Sequence, residues 1–175
     1  MFILVTGGAA SGKSAYAEGL LADWRGPKYY IATMQVGDGE SAQRVARHRA
    51  ARAGKGFLTL ERPLNLACLR LPQRGAGVLL ECLSNLAANE RFAPQGAGEG
   101  ARAAILAGFD TLLSQAELVV AVTNEVFSDG VDYDPATLDY LDLLGGLNAA
   151  LAARADRVVE VVCGLPILQK GEALP

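Results

Sequence analysis

The residues with the clearest chemical pattern are Gly7-Gly8-Ala9-Ala10-Ser11-Gly12-Lys13-Ser14. They match G-x-x-x-x-G-K-[ST], the phosphate-binding P-loop pattern. Glycines let the backbone curl so that successive N–H groups point at phosphate oxygens. The N-terminus of the helix that follows adds a partial positive charge. In this pattern Lys13 reaches the β- and γ-phosphates, and the Ser14 hydroxyl ligates Mg²⁺. A Gly-rich turn that merely carries a lysine is the plainer alternative; the full pattern, between an apolar run and a helical one, weighs against it. A P-loop also calls for a carboxylate at the end of a neighbouring strand. Val78-Leu79-Leu80-Glu81 supplies one, with Glu where Asp is commoner. An ordinary strand-end acid is the alternative for Glu81.

The single histidine, His48, lies in Arg44-Val45-Ala46-Arg47-His48-Arg49-Ala50-Ala51-Arg52. On a helix, residues four apart share a face, so Arg44, His48 and Arg52 form one stripe. A solvated basic face is the bland reading. The chemical reading is sharper. Neighbouring Arg charges disfavour the imidazolium form, which leaves a ring nitrogen available as a nucleophile near pH 7. The same arginines, Arg52 among them, can hold the α-phosphate of a nucleotide. A nucleotidyl-histidine intermediate needs that combination. Nucleic-acid binding by this stripe is the weaker option, because no aromatic residues interleave the arginines.

These residues need elements to position them. Short apolar runs alternate with helical patterns. Strands are expected at Phe2-Ile3-Leu4-Val5, Lys28-Tyr29-Tyr30-Ile31-Ala32, Phe57-Leu58-Thr59-Leu60, Val78-Leu79-Leu80, Leu118-Val119-Val120-Ala121-Val122 and Val158-Val159-Glu160-Val161-Val162. Helices are expected over 12–23, 40–53, 100–116 and 134–155, the last opening on Asp134-Pro135 as N-cap and first helical residue. The Gly-rich stretch 93–100 reads as a mobile loop. Strands alternating with helices imply right-handed βαβ units and an α/β fold with a mostly parallel sheet. Ligands in such sheets bind outside the carboxyl ends of the strands. Thr33, Glu81, Asn124 and Glu125 should therefore share a rim with the P-loop.

Composition narrows the function classes. The chain has 175 residues, 51% hydrophobic and 20% charged, which excludes intrinsic disorder and fits a single domain over 1–175. A net charge of -3 argues against a dedicated nucleic-acid binder. Cys68, Cys82 and Cys163 are widely spaced with no C-x-x-C, so neither zinc nor a disulfide framework is expected. No apolar run reaches the ~20 residues of a membrane span, and no signal peptide is evident, so a cytoplasmic protein is expected.

Taken in order, the motifs resemble the bifunctional adenosylcobinamide kinase / adenosylcobinamide-phosphate guanylyltransferase family of cobalamin biosynthesis. The resemblance rests on Ile3-Leu4-Val5-Thr6-Gly7-Gly8-Ala9 with its P-loop, Tyr30-Ile31-Ala32-Thr33, Arg44 to Arg49 around His48, and Leu58-Thr59-Leu60-Glu61. It continues through Leu79-Leu80-Glu81-Cys82-Leu83, Val122-Thr123-Asn124-Glu125-Val126, Gly145 with Asn148, and Val161 to Pro166. It implies a RecA-like P-loop NTPase fold, a three-layer α/β sandwich. It implies two reactions: phosphorylation of adenosylcobinamide by ATP or GTP, then transfer of GMP from GTP through a guanylyl-histidine. On the matching positions His48 would carry GMP, and Gly7 to Ser14 would hold the triphosphate. Ala32, Thr33, Met34, Arg49, Glu61 and Glu81 would contact nucleotide. A homo-oligomer, a trimer, is implied too. The chain departs from the family pattern at Phe127-Ser128-Asp129-Gly130-Val131-Asp132, where a Val-Pro-containing Gly-rich loop is usual, and at Leu138 and Leu141, where basic residues are common. A P-loop kinase of another small hydroxyl substrate, or a non-catalytic GTP-binding regulatory subunit, are the alternatives.

Overall fold

The computed structural model describes residues 1–35, 54–127 and 130–172. The expected helix over 40–53, with His48, Arg49 and Arg52, lies outside the described residues, as do Ser128 and Asp129 in the departing loop.

Alternating residues of the central strands bury their side chains on opposite sides of one sheet. Strand β1 (Phe2–Thr6) enters the sheet centre. It is followed by helix α1 (Lys13–Gly19), then by strands β2 (Lys28–Ala32), β3 (Phe57–Glu61) and β4 (Ala76–Glu81). Next come α2 (Leu83–Phe92), α3 (Ala101–Gln115), β5 (Ala116–Val122) and α4 (Pro135–Arg154). The sequence closes with β6 (Arg157–Val162) and β7 (Leu165–Lys170). The sheet order is β3-β2-β4-β5-β1-β6-β7, all parallel except β7, which runs antiparallel to β6.

On one face Leu4, Ile31, Leu80 and Ala121 pack with Leu86 of α2, Phe109 of α3 and Leu147 of α4. On the other face Ile3, Val5, Tyr30, Leu79 and Val120 meet Ala17 of α1 and Leu21 just beyond it. Burial on both faces is why the strands read as continuous apolar runs rather than alternating ones. Asp134 caps α4 by accepting from the N–H groups of Ala136 (2.9 Å) and Thr137 (3.1 Å), ahead of Pro135 at the first helical position.

The structure departs from expectation in four places. Helix α1 ends at Gly19 rather than near Asp23, because the next turns tighten to i→i−3 bonds from Leu21 to Glu18 and from Ala22 to Gly19. An unanticipated helix, α2, begins at Leu83 after Cys82 as N-cap residue; its inward face includes buried Ser84 and Glu90, which break the apolar period. The 93–100 stretch is tied down: the buried Glu90 carboxylate accepts from the N–H of Asn65 (2.7 Å) and of Ala97 (3.1 Å). Strand β7 is an exposed edge carrying Pro166, which suits an edge position. It joins β6 through Cys163 and Gly164, both with positive φ, as a two-residue hairpin turn demands.

Candidate functional site

Strand β1 delivers the chain to the P-loop, and its geometry there is demanding. Gly7 has φ +154°, and a Cβ on it would lie 2.5 Å from the Val161 carbonyl oxygen. Gly12 caps α1 with φ +93°, where a Cβ would press on Gly164 at 3.2 Å. Only glycine suits both positions. The hairpin tip between β6 and β7 braces the loop from outside, with the Gly164 N–H donating to the Ser11 carbonyl at 2.8 Å. No side chain caps the N-terminus of α1, and its first turn carries no acid. Ser11 Oγ is buried and has no hydrogen-bond partner among the described residues. A loop with open donors and a positive helix end is ready to receive phosphate oxygens. The Lys13 ammonium folds back to donate to the Gly8 carbonyl at 2.9 Å, so it is held over the loop.

Ser14 and Glu81 come together at the heart of the site. The Ser14 hydroxyl is hydrogen-bonded to Glu81 Oε1. The other carboxylate oxygen, Oε2, accepts from the buried Tyr30 hydroxyl at 2.9 Å. Magnesium takes hard oxygen ligands, and commonly one or two from protein with the rest from phosphates and water. A serine hydroxyl beside a carboxylate under a phosphate loop fits that ion. Among the described residues no group of three or more His, Cys, Asp or Glu side chains could hold a metal by itself.

The remaining rim residues fall into two groups. Thr33 continues β2: its N–H donates to the Glu81 carbonyl at 3.2 Å, and its hydroxyl bonds both the N–H and the carbonyl of Cys82 at 2.8 Å. Asn89 of α2 donates to the carbonyls of Thr33 (2.7 Å) and Pro63 (3.1 Å), clamping the loops after β2 and β3. Asn124 lies beyond β5 and donates to Ser84 Oγ at 2.6 Å, while the Glu125 N–H donates to the Gly7 carbonyl at 3.1 Å. Thr33, Glu81, Asn124 and Glu125 therefore share the rim with the P-loop. Ala32, Thr33 and Met34 sit farther out along it. Glu61 ends β3 on the outer edge, four strand positions from β1, or about 19 Å at ~4.8 Å per strand. The structure does not bring it to the P-loop.

Tyr30, Asn89 and Ser84 organise this site, yet sequence reasoning gave them no such role. The usable signal for Tyr30 was the pair Tyr29-Tyr30: in a buried strand one ring must face the P-loop side, and its hydroxyl needs a partner. Burial pushes the Cys82 thiol above its ordinary value, with the Ser84 hydroxyl bond opposing.

Fold and site together define a P-loop nucleotide-binding protein. Solved structures share the fold: a type III secretion ATPase from pathogenic bacteria (TM-score 0.55, 10% identity, 96% of this chain and 56% of that one) and a KaiC-like protein from Pyrococcus horikoshii (TM-score 0.50, 12% identity, 91% and 71%). The family model of cobinamide kinase / cobinamide phosphate guanyltransferase matches residues 3–168, and the chain belongs to that family. It is 39% identical over 175 residues to the bifunctional adenosylcobalamin biosynthesis protein CobP of Pseudomonas aeruginosa, covering 98% of each chain. It is 36% identical over 180 residues to the corresponding CobU protein of Escherichia coli, covering 95% of this chain and 98% of that one. The chain is thus an enzyme of the kinase and guanylyltransferase kind, and no helix among its described residues is long and apolar enough to cross a membrane.

Proposed function

We propose that this enzyme phosphorylates the aminopropanol hydroxyl of adenosylcobinamide with ATP or GTP. It then transfers GMP from GTP, through a guanylyl-histidine at His48, to give adenosyl-GDP-cobinamide. The observation that carries the reading is the Ser14–Glu81 contact beneath a complete P-loop, in a chain matched by the family over residues 3–168.

The P-loop amides cradle the triphosphate, and Lys13 neutralises charge on the β- and γ-phosphates. Ser14 and Glu81 are the residues that would hold Mg²⁺, which when bound would supply neutralisation of phosphate charge. Ala32, Thr33, Met34 and Glu61 line the rim farther from the P-loop, where the nucleoside half lies. His48 attacks the α-phosphorus, with Arg49 and Arg52 compensating charge there. The bond from the α-phosphorus to the bridging oxygen breaks, and pyrophosphate leaves. The GMP then passes to the phosphate of the phosphorylated acceptor, and His48 is restored. We read 1–175 as one cytoplasmic unit that works as a homo-oligomer, a trimer.

The test is product analysis by mass spectrometry. Purified protein with Mg²⁺, ATP, GTP and adenosylcobinamide should yield first a phosphorylated and then a GDP-linked corrinoid. Recovery of unchanged adenosylcobinamide with hydrolysed nucleotide would reject the reading.

A further inference from the structure

A cavity of about 530 Å³ opens beside the P-loop, and Ala9 forms part of its wall. Glu125 and Val126, just after β5, form another side; Tyr133 and the α4 residues Tyr140 and Leu141 close it. A second cavity of about 340 Å³ shares Thr137 and Tyr140 and extends to Ala88 and Phe92 of α2. Large apolar side chains stand exposed on the same elements: Phe92, Phe127, Val131 and Leu138. An apolar apron of this kind costs solvation unless a ligand covers it. The apron is continuous with a wall of the P-loop, so its occupant lies next to the triphosphate.

One acid in that wall is held in place. The Glu125 N–H is tied to the Gly7 carbonyl at 3.1 Å, and Glu125 Oε1 accepts from the Phe127 N–H at 3.0 Å. The Glu125 backbone is thereby tied to the P-loop, and its carboxylate is held at the Phe127 N–H in the wall of the cavity that Ala9 also lines.

We propose that this cavity seats the corrinoid acceptor by its apolar edge, with Glu125 as the base for its hydroxyl; this rests on the kinase reading above. The acceptor oxygen bonds to the γ-phosphorus, and the bond from that phosphorus to the β,γ-bridging oxygen breaks. The nucleoside diphosphate leaves with the bond pair. The hydroxyl proton passes to the Glu125 carboxylate and then to water. Leu141, in the cavity wall, and the exposed Leu138 on the same helix then meet the corrin ring.

The experiment uses the full chain, with phosphoryl transfer to adenosylcobinamide and enzyme–GMP formation from GTP measured side by side. Glu125→Gln should lower the ratio of the first rate to the second by about 100-fold or more, the range of a lost general base. Glu125→Asp should restore part of that ratio. Leu141→Gln, and Leu138→Glu on the exposed face in case the former folds poorly, should raise KM for adenosylcobinamide about tenfold relative to KM for GTP. An active parent whose Glu125→Gln ratio stays within about threefold overturns the base, and unchanged corrinoid KM values overturn the seat. A parent that never phosphorylates the corrinoid overturns both this and the reading it rests on.

Discussion

Ser14, in the first turn of α1, and Glu81, at the end of β4, are hydrogen-bonded to each other across 67 positions of sequence. Tyr30 holds the other oxygen of the same carboxylate at 2.9 Å. The three residues come from three elements, so the strand order that places β4 two positions from β1 is what creates the site.

Tyr30→Phe removes one donor to Glu81 and leaves the ring in place. A bond to a buried carboxylate contributes about 1–3 kcal/mol, and denaturant titration should show a loss in that range. The freed carboxylate also loses its orientation towards Ser14. The Mg²⁺ concentration for half-maximal phosphoryl transfer should rise several-fold. An unaltered Mg²⁺ dependence would mean that Tyr30 does not position Glu81.

Gly7→Ala tests the loop geometry. The added methyl would meet the Val161 carbonyl oxygen at 2.5 Å and the Ser11 hydroxyl at 2.7 Å, so the loop must shift. Both of its walls are tied, at Gly164 and at Glu125, and the shift spreads to the phosphate donors. Calorimetry should show GTP binding at least about tenfold weaker, or about 1.4 kcal/mol. Binding within twofold of the parent would contradict the assigned cradle.

Asp134 gives a pH signature. Its side-chain bond to Thr137, then the backbone bonds to Thr137 and Ala136, lower its pKa from the usual 3.8. A depressed carboxylate stabilises the fold above its unfolded pKa, and that contribution disappears as pH falls through the lower folded value. Thermal melts should therefore show the α4 cap contribution constant above about pH 5 and falling below about pH 4. Asp134→Asn keeps a cap without the charge, and the difference between the two proteins should shrink over that window. A difference that grows on acidification would contradict the sign.

Much of this was legible in the sequence where the signal is local. The P-loop pattern, the buried strand before it and the Asp134-Pro135 cap each lie within a few residues, and each forms as read. Glu81 was legible because a doubly buried strand ends on it. What was hidden depends on packing between distant segments. Helix α2 has Ser84 and Glu90 on its buried face, so its apolar period is broken. Strand β7 is exposed on both faces and carries Pro166, so neither alternation nor a continuous core run marks it. How far Glu61 stands from the P-loop was hidden too, because it depends on strand order, which puts β3 at the outer edge of the sheet.

In the proposed function one phosphate loop serves a histidine that carries GMP. The direct measurement is incubation of the protein with α-labelled GTP and Mg²⁺, without corrinoid, followed by acid and alkaline treatment and mapping of the label. The expected result is an acid-labile, alkali-stable GMP adduct on the peptide containing His48, lost in His48→Ala and chased into product by phosphorylated adenosylcobinamide. A protein that turns over GTP with no adduct, or an adduct that survives His48→Ala, would contradict it.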